Sequence, residues 1–149
     1  MHELEERLLL FFTGYSRSAS EILADQKARS EAEDPAMLDS LDFTDKLGRR
    51  IRSALEDGEP EAFADLMHEH WEYKRARSAG ISNERIDAWY DLGRANGARG
   101  GKLVGAGAGG FLLFYADDPG RLRRAMAGAG LPEVRFRFDH DGSVVLFRD

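Results

Sequence analysis

The chain has 149 residues, no cysteine and a formal net charge of −6. The absence of cysteine excludes disulfides, thiolate metal sites and cysteine nucleophiles. The acidic balance argues against a general nucleic-acid binder, because neutralising phosphates requires clustered Lys and Arg. No basic segment opens the N-terminus, and the apolar run at residues 8–12 is too short to span a bilayer. We therefore expect a cytoplasmic protein that binds neither nucleic acid nor membrane, with a length that fits one domain.

Hydrophobic periodicity and turn residues predict one strand followed by four helices. Leu8–Phe12 is a continuous apolar run, which is typical of a buried strand. The helices are predicted to begin near Ser16, at Pro35, at Pro60 and at Ser82 or Asn83, and to end near residues 27–33, at Gly58, at Gly80 and at Asn96. The apolar side chains expected to face the core are Ile22, Leu23, Met37, Leu38, Leu41, Leu47, Ile51, Ala54, Leu55, Phe63, Leu66, Met67, Trp71, Ile86, Trp89 and Tyr90.

The chain changes character beyond Gly97. Two strands are predicted at Lys102–Val104 and Phe111–Tyr115, followed by a helix over Pro119–Ala129 that Asp117 and Asp118 cap. A closing hairpin is predicted from strands at Val134–Phe138 and Ser143–Phe147, which flank the turn signal Asp141-Gly142. This order of elements is α+β, and a split βαβ sheet backed by several helices is the simplest architecture that accommodates it.

Glycine is concentrated in one segment of the chain. Eight of the 16 glycines lie between Gly93 and Gly110, and the run 105–110 satisfies the pattern G-x-G-x-x-G. A dinucleotide fold requires a strand before this loop and a helix after it, whereas here a helix lies upstream and a strand follows. A P-loop is also excluded, because Lys102 is followed by Leu103 and not by Ser or Thr.

Two explanations of the glycine run remain open. Without Cβ atoms the backbone can turn several N–H groups toward one concavity, which makes an anion-binding nest, and Lys102 would add positive charge to it. Alternatively, the glycines only permit a tight strand connection or close packing against a helix, and the lysine is solvated. Two or three glycines would suffice for a turn, so their number favours the nest.

The segment 100–111, GGKLVGAGAGGF, resembles the third signature motif of the GHMP kinases. Three further segments resemble the D-glycero-D-manno-heptose 7-phosphate kinase branch of that family: LLFFTGYSRSASEI at 9–22, HEHW at 68–71 and GISN at 80–83. The resemblance implies a ferredoxin-like C-terminal domain whose glycine loop faces a cleft that another domain completes. It further implies ATP and Mg²⁺ as cofactors, and transfer of the γ-phosphate to a sugar hydroxyl, in particular the anomeric one.

The resemblance also implies a set of binding residues. The phosphate or substrate loop would comprise Lys102, Gly105, Ala106, Gly107, Gly109 and Gly110, and the sugar-phosphate candidates are Ser16, Arg17 and Lys74. Ser16 has the alternative role of capping its helix. We predict no metal site, because His68 and His70 are two residues apart on a helix and point in different directions. Trp71 and Trp89 are interpreted as core residues.

One part of the family pattern is missing from this sequence. Members carry an N-terminal domain with a Pro-x-x-x-Gly-Leu-Gly-Ser-Ser loop around the ATP phosphates, and no such loop occurs here. We therefore expect residues 1–149 to be a single C-terminal domain with no catalytic residue and no tightly bound cofactor, inactive alone, with an N-terminal kinase domain or subunit as partner. Apolar surface left uncovered would favour self-association. The alternative is a stand-alone binding or interaction domain that kept the fold and lost the chemistry.

Overall fold

The computed structural model describes residues 2–14, 19–77, 80–105, 109–139 and 142. Within these ranges, the elements in chain order are α1 His2–Arg7, β1 Leu8–Phe12, α2 Ala19–Glu31, α3 Pro35–Glu56, α4 Pro60–Arg77, α5 Glu84–Ala95, β2 Ala98–Val104, β3 Phe111–Ala116, α6 Pro119–Gly128 and β4 Glu133–Val134. Asp34, Asn83 and Asp118 accept backbone N–H groups at the starts of α3, α5 and α6, so these caps are confirmed. No helix of the described ranges is long and apolar enough to cross a bilayer.

The four strands form one antiparallel sheet in the order β2-β3-β1-β4. Strands β1 and β2 are consecutive along the chain, yet β3 lies between them, and the helices α2 to α5 fill the connection. This is the split βαβ arrangement of the ferredoxin-like fold, so the predicted architecture is confirmed. The register pairs Phe12 with Phe111 and Lys102 with Leu113, which brings the end of β1 and the glycine-rich connection to the same end of the sheet.

The two faces of the sheet bury different sets of side chains, because successive residues of a strand point to opposite faces. One face packs against α5 and α6 and forms the main core, with Trp71 and Trp89 included as predicted. Its strand residues are Leu9, Phe11, Ala98, Leu103, Leu112, Phe114 and Ala116. The opposite face carries Leu8 and Tyr115, which pack with Ala64 and Met67 of α4. Alternation places Lys102 on this second face, beside α4.

Helices α2 and α3 bury less of their apolar surface than the periodicity predicted. Leu23, Leu38, Leu41 and Leu55 are 54%, 44%, 48% and 42% exposed, so their predicted inward orientation is wrong. The physical reason is that α3 packs mainly against α4, and one main packing partner covers only a narrow stripe of a helix. Met37, Leu47 and Ala54 form that stripe and are buried.

Two predicted strands also have different bounds in the structure. β2 begins at Ala98 and not at Lys102, because Ala98, Gly100 and Gly101 also pair with β3. β4 contains only Glu133 and Val134, whereas a strand to Phe138 was predicted. Phe136 and Phe138 nevertheless pack on the second face of the sheet. The alternating pattern therefore predicted which side chains are covered, although these residues do not pair as a strand. The predicted turn residue Asp141 and the last strand, 143–147, lie outside the described residues.

Candidate functional site

The two ends of the glycine loop have backbone conformations that favour glycine. Gly105 has φ +111° and Gly110 has φ +103°, in the region that residues with a Cβ rarely adopt. A Cβ at Gly110 would in addition lie 2.8 Å from the carbonyl oxygen of Val104. Gly109 is buried. The predicted loop residues Ala106 and Gly107 lie outside the described residues, so the structure describes the ends of the predicted nest.

Thr13 attaches the end of β1 to this loop. Its backbone N–H and its hydroxyl both donate to the carbonyl oxygen of Gly110, at 3.0 and 2.9 Å. The side chain is 4% exposed, which is unusual for a polar residue and is accounted for by these bonds. The predicted sugar-phosphate residues Ser16 and Arg17 lie outside the described residues, three and four positions after this anchor.

Helix α4 lies along the edge strand β2 and approaches the loop from the other side. At Gly100, a Cβ would lie 1.9 Å from the carbonyl oxygen of Ala64, so only glycine permits this approach. Two residues later, the Nζ of Lys102 lies 3.4 Å from Nδ1 of His70. Helix and strand therefore advance in the same direction. Lys74 is one turn, about 6 Å, beyond His70, toward the end of β2 where the glycine loop begins.

Lys74, His70 and Lys102 form the candidate site, and we call them the basic cluster. All three side chains are half-buried. Burial, together with the charges of Lys102 and Lys74, lowers the pKa of His70 to about 4, so the imidazole is neutral at pH 7. Its Nδ1 therefore accepts the bond that the Lys102 ammonium donates. Burial also lowers the pKa of both lysines, and the charge of Lys74 lowers that of Lys102 further.

The other histidine of the HEHW segment serves the core. His68 Nδ1 lies 2.8 Å from the hydroxyl of Tyr90, which in turn donates to the carbonyl oxygen of Gly101 at 3.2 Å. His68 and His70 thus point to different neighbours, as the sequence predicted. Among the described residues, no three His, Cys, Asp or Glu side chains are grouped so that they could hold a metal ion.

The sequence reasoning missed His70 as a site residue. It identified Lys74 and Lys102 separately, and the structure brings them together through this histidine. His70 and Lys74 are four residues apart on a predicted helix, so they share one face. That spacing was the available signal, but the partner on β2 is 32 positions away in sequence and needed the tertiary structure.

Comparisons with known proteins agree with this arrangement of sheet and loop. Residues 51–131 match the family model described as GHMP kinases C terminal. The chain is similar to the D-glycero-alpha-D-manno-heptose 7-phosphate kinase of Campylobacter jejuni, with 31% identity over 115 residues, which are 77% of this chain and 33% of that protein. It is also similar to the bifunctional fucokinase/GDP-fucose pyrophosphorylase of Arabidopsis thaliana, with 35% identity over 116 residues, 78% of this chain and 11% of that protein.

Among solved structures, the chain resembles the L. major mevalonate kinase in complex with R-mevalonate. The TM-score is 0.70 at 21% identity, over 81% of this chain and 37% of that one. At this identity the likeness concerns the fold alone. The chain therefore spans between 11% and 37% of the length of these three proteins.

Proposed function

Because the chain belongs to the GHMP kinase family through its C-terminal domain, we propose that it forms one wall of the active-site cleft of an ATP-dependent sugar kinase. The reaction is transfer of the γ-phosphate of ATP to the anomeric hydroxyl of a heptose 7-phosphate. The observation that carries the proposal is the juxtaposition of the glycine loop with Lys102 and Lys74 at one end of the sheet. The 31% identity to a heptose 7-phosphate kinase supports the choice of sugar.

The proposal assigns the remaining parts of the site to another domain. The matched relatives are longer than this chain, which spans 33% of the heptose kinase. In the proposed complete enzyme, an N-terminal kinase domain or subunit supplies the other wall, which holds the ATP phosphates and Mg²⁺. Phosphoryl transfer depends on positioning and charge stabilisation of both reacting groups, so one wall alone gives little rate enhancement. A cytoplasmic location is part of the same proposal.

Completing the cleft tests this function. The chain is joined to the remaining part of the C. jejuni heptose kinase in place of its matched segment, and ADP release is followed with ATP, Mg²⁺ and heptose 7-phosphate. We expect sugar-dependent ADP release from the chimera and none from the chain alone. Activity of the isolated chain would contradict the assignment of one wall. Sugar-phosphate binding without ADP release from a folded chimera would favour the non-catalytic binding domain.

A substitution in the loop tests the role of the glycines in the same chimera. Gly107→Val should raise the KM for the sugar phosphate or for ATP, because a branched side chain would fill the predicted nest. Gly48→Val is the matched control, since a Cβ there meets no atom within 4 Å and the residue lies in the interior of α3. Equal kinetics of both variants, with both folded, would refute the role of the loop in binding.

A further inference from the structure

We infer that Lys74, Lys102 and His70 form a binding site for a terminal phosphate dianion within this chain. The inference deepens the proposed function and rests on it, because it names the ligand chemistry of the same two lysines; binding is measured without phosphoryl transfer, so the two proposals can fail independently. The two possible carriers of the dianion are a sugar phosphate and the end of a nucleotide. Its grounds are the charges, the burial and the position of the three side chains.

Among the residues that the structure describes, the lysines of the basic cluster have no acidic neighbour of the kind that several other cations possess. Arg99 forms a two-bond ion pair with Asp65, and Arg123 is bonded to both oxygens of Glu133. For Lys74 and Lys102, by contrast, no carboxylate of the described residues forms an ion pair or shifts the pKa. The chain has 27 Asp and Glu against 21 Lys and Arg, so acidic partners are abundant elsewhere.

The two half-buried ammonium groups of the basic cluster are unfavourable without a countercharge. Burial disfavours the charged form of each lysine, and the two positive charges repel each other. A buried charge is normally paired or hydrogen-bonded. A bound anion would supply the missing countercharge, and a phosphate monoester, with a second pKa near 6, is mainly a dianion at neutral pH. Its charge matches that of the two lysines.

His70 orients Lys102 without neutralising it. The neutral imidazole accepts a hydrogen bond from the ammonium at 3.4 Å, and its other ring nitrogen then carries a proton and can donate. A carboxylate at this position would form an ion pair with Lys102 and reduce the charge available to a ligand. The choice of histidine thus keeps two positive charges at the cluster.

The position of the cluster agrees with a phosphate site. Lys102 lies two residues before Val104, the last residue of β2, and Gly105 opens the glycine loop directly after it. Lys74 is one turn beyond His70 on α4, and its charge acts on Lys102. The lysine charges therefore lie beside a loop whose ends already have the left-handed backbone that lets N–H groups converge on an anion.

The decisive variant is His70→Glu. If the cluster binds a dianion, the new carboxylate should form an ion pair with Lys102 and so reduce the positive charge available to phosphate. The affinity for phosphate should then fall at least about tenfold, while the urea concentration at the midpoint of unfolding rises. Lys102→Gln and Lys74→Gln should each weaken binding about tenfold or more. Lys46→Gln is the control, because Lys46 is exposed on α3 and paired with Asp42; its affinity should stay within about twofold.

Calorimetric titration of the chain at pH 7.5 with inorganic phosphate, glucose 6-phosphate and Mg-free ATP distinguishes the sources. Tighter binding of the sugar phosphate than of ATP assigns the site to the sugar, and the reverse order assigns it to the nucleotide. If a lysine variant does not fold, an NMR pH titration of the His70 imidazole in the unchanged chain tests the same site. Bound phosphate should raise the pKa of His70 in that titration. Absence of binding by all three ligands would overturn the inference, as would equal affinities of His70→Glu and Lys46→Gln.

Discussion

A methyl group added at Gly100 should push α4 away from the edge of the sheet. The new Cβ would lie 1.9 Å from the carbonyl oxygen of Ala64 and 2.7 Å from its carbon, and both are backbone atoms. Since real Cβ atoms essentially never approach another heavy atom closer than 3.0 Å, α4 and β2 must separate at this point by about 1.1 Å, the difference between 3.0 and 1.9 Å. The φ of Gly100 is not in the left-handed region, so packing alone determines the effect of Gly100→Ala.

The loss of stability follows from what has to move. Overpacking of a well-packed core costs about 1–3 kcal/mol, and the obstacle here is a helix backbone, which cannot relax by changing a rotamer. We therefore expect Gly100→Ala to reduce the free energy of unfolding by about 3 kcal/mol, a large part of the roughly 5–15 kcal/mol that domains possess. The same displacement would separate Lys102 from His70 and weaken phosphate binding.

Urea denaturation followed by tryptophan fluorescence measures this effect, because Trp71 and Trp89 both lie in the main core. Gly48→Ala is the matched control. A Cβ at Gly48 meets no atom within 4 Å, and the residue is in the interior of α3, so alanine there should stabilise the protein by about 1 kcal/mol. If Gly100→Ala unfolds at the same urea concentration as the unchanged chain, the close approach of α4 to β2 is refuted.

Three further predictions test the core and the basic cluster. Gly93→Ala should destabilise by about 1–2 kcal/mol in urea denaturation, because its Cβ would lie 2.7 Å from the Phe114 ring; Phe114→Leu should then cost less in the Gly93→Ala background than alone. Tyr90→Phe should lower the free energy of unfolding by about 1–3 kcal/mol, since two partners of the hydroxyl lose their bond. Tyr115→Phe should be neutral or stabilising, because that buried hydroxyl has no hydrogen-bond partner among the described residues. Equal effects of the two substitutions would contradict this reasoning. The pKa of His70 is about 4 in the folded chain, against 6.5 for a free histidine side chain. The free energy of unfolding should therefore fall as the pH decreases from 6.5 to 4, and His70→Gln should show a smaller decrease. Parallel curves of stability against pH for the two proteins would exclude a neutral buried imidazole.

Local sequence signals predicted most of the elements that the structure contains. Helices α3 and α6 begin at Pro35 and Pro119, and in both an aspartate caps the helix directly before the proline. Both signals act within one helical turn, so the sequence alone predicts these starts. The continuous apolar run of β1 required a buried strand, and the order of elements then left few sheet topologies. Errors occurred where a neighbour decides the outcome: Leu38 and Leu41 fit a helical stripe, yet nothing in the described chain covers them fully.

The glycine run shows the limit of sequence reasoning for the candidate site. By itself, the sequence determined that glycine is in excess between Gly93 and Gly110, and the order of elements excluded a dinucleotide loop. Only the tertiary structure separated the roles of these glycines. Gly93 and Gly100 make room for a phenyl ring and a helix, which is the packing explanation, whereas Gly105 and Gly110 have left-handed backbone at the ends of the loop.

The same distinction holds for the charges. The sequence identified Lys74 and Lys102 as candidate cations because residue type and local spacing are visible in one dimension. Their meeting through His70 depends on how α4 lies along β2, and Gly100 permits that approach. Contacts between residues far apart in sequence arise from packing that the whole chain determines together. The tertiary structure therefore decided that separate lysines form one basic cluster.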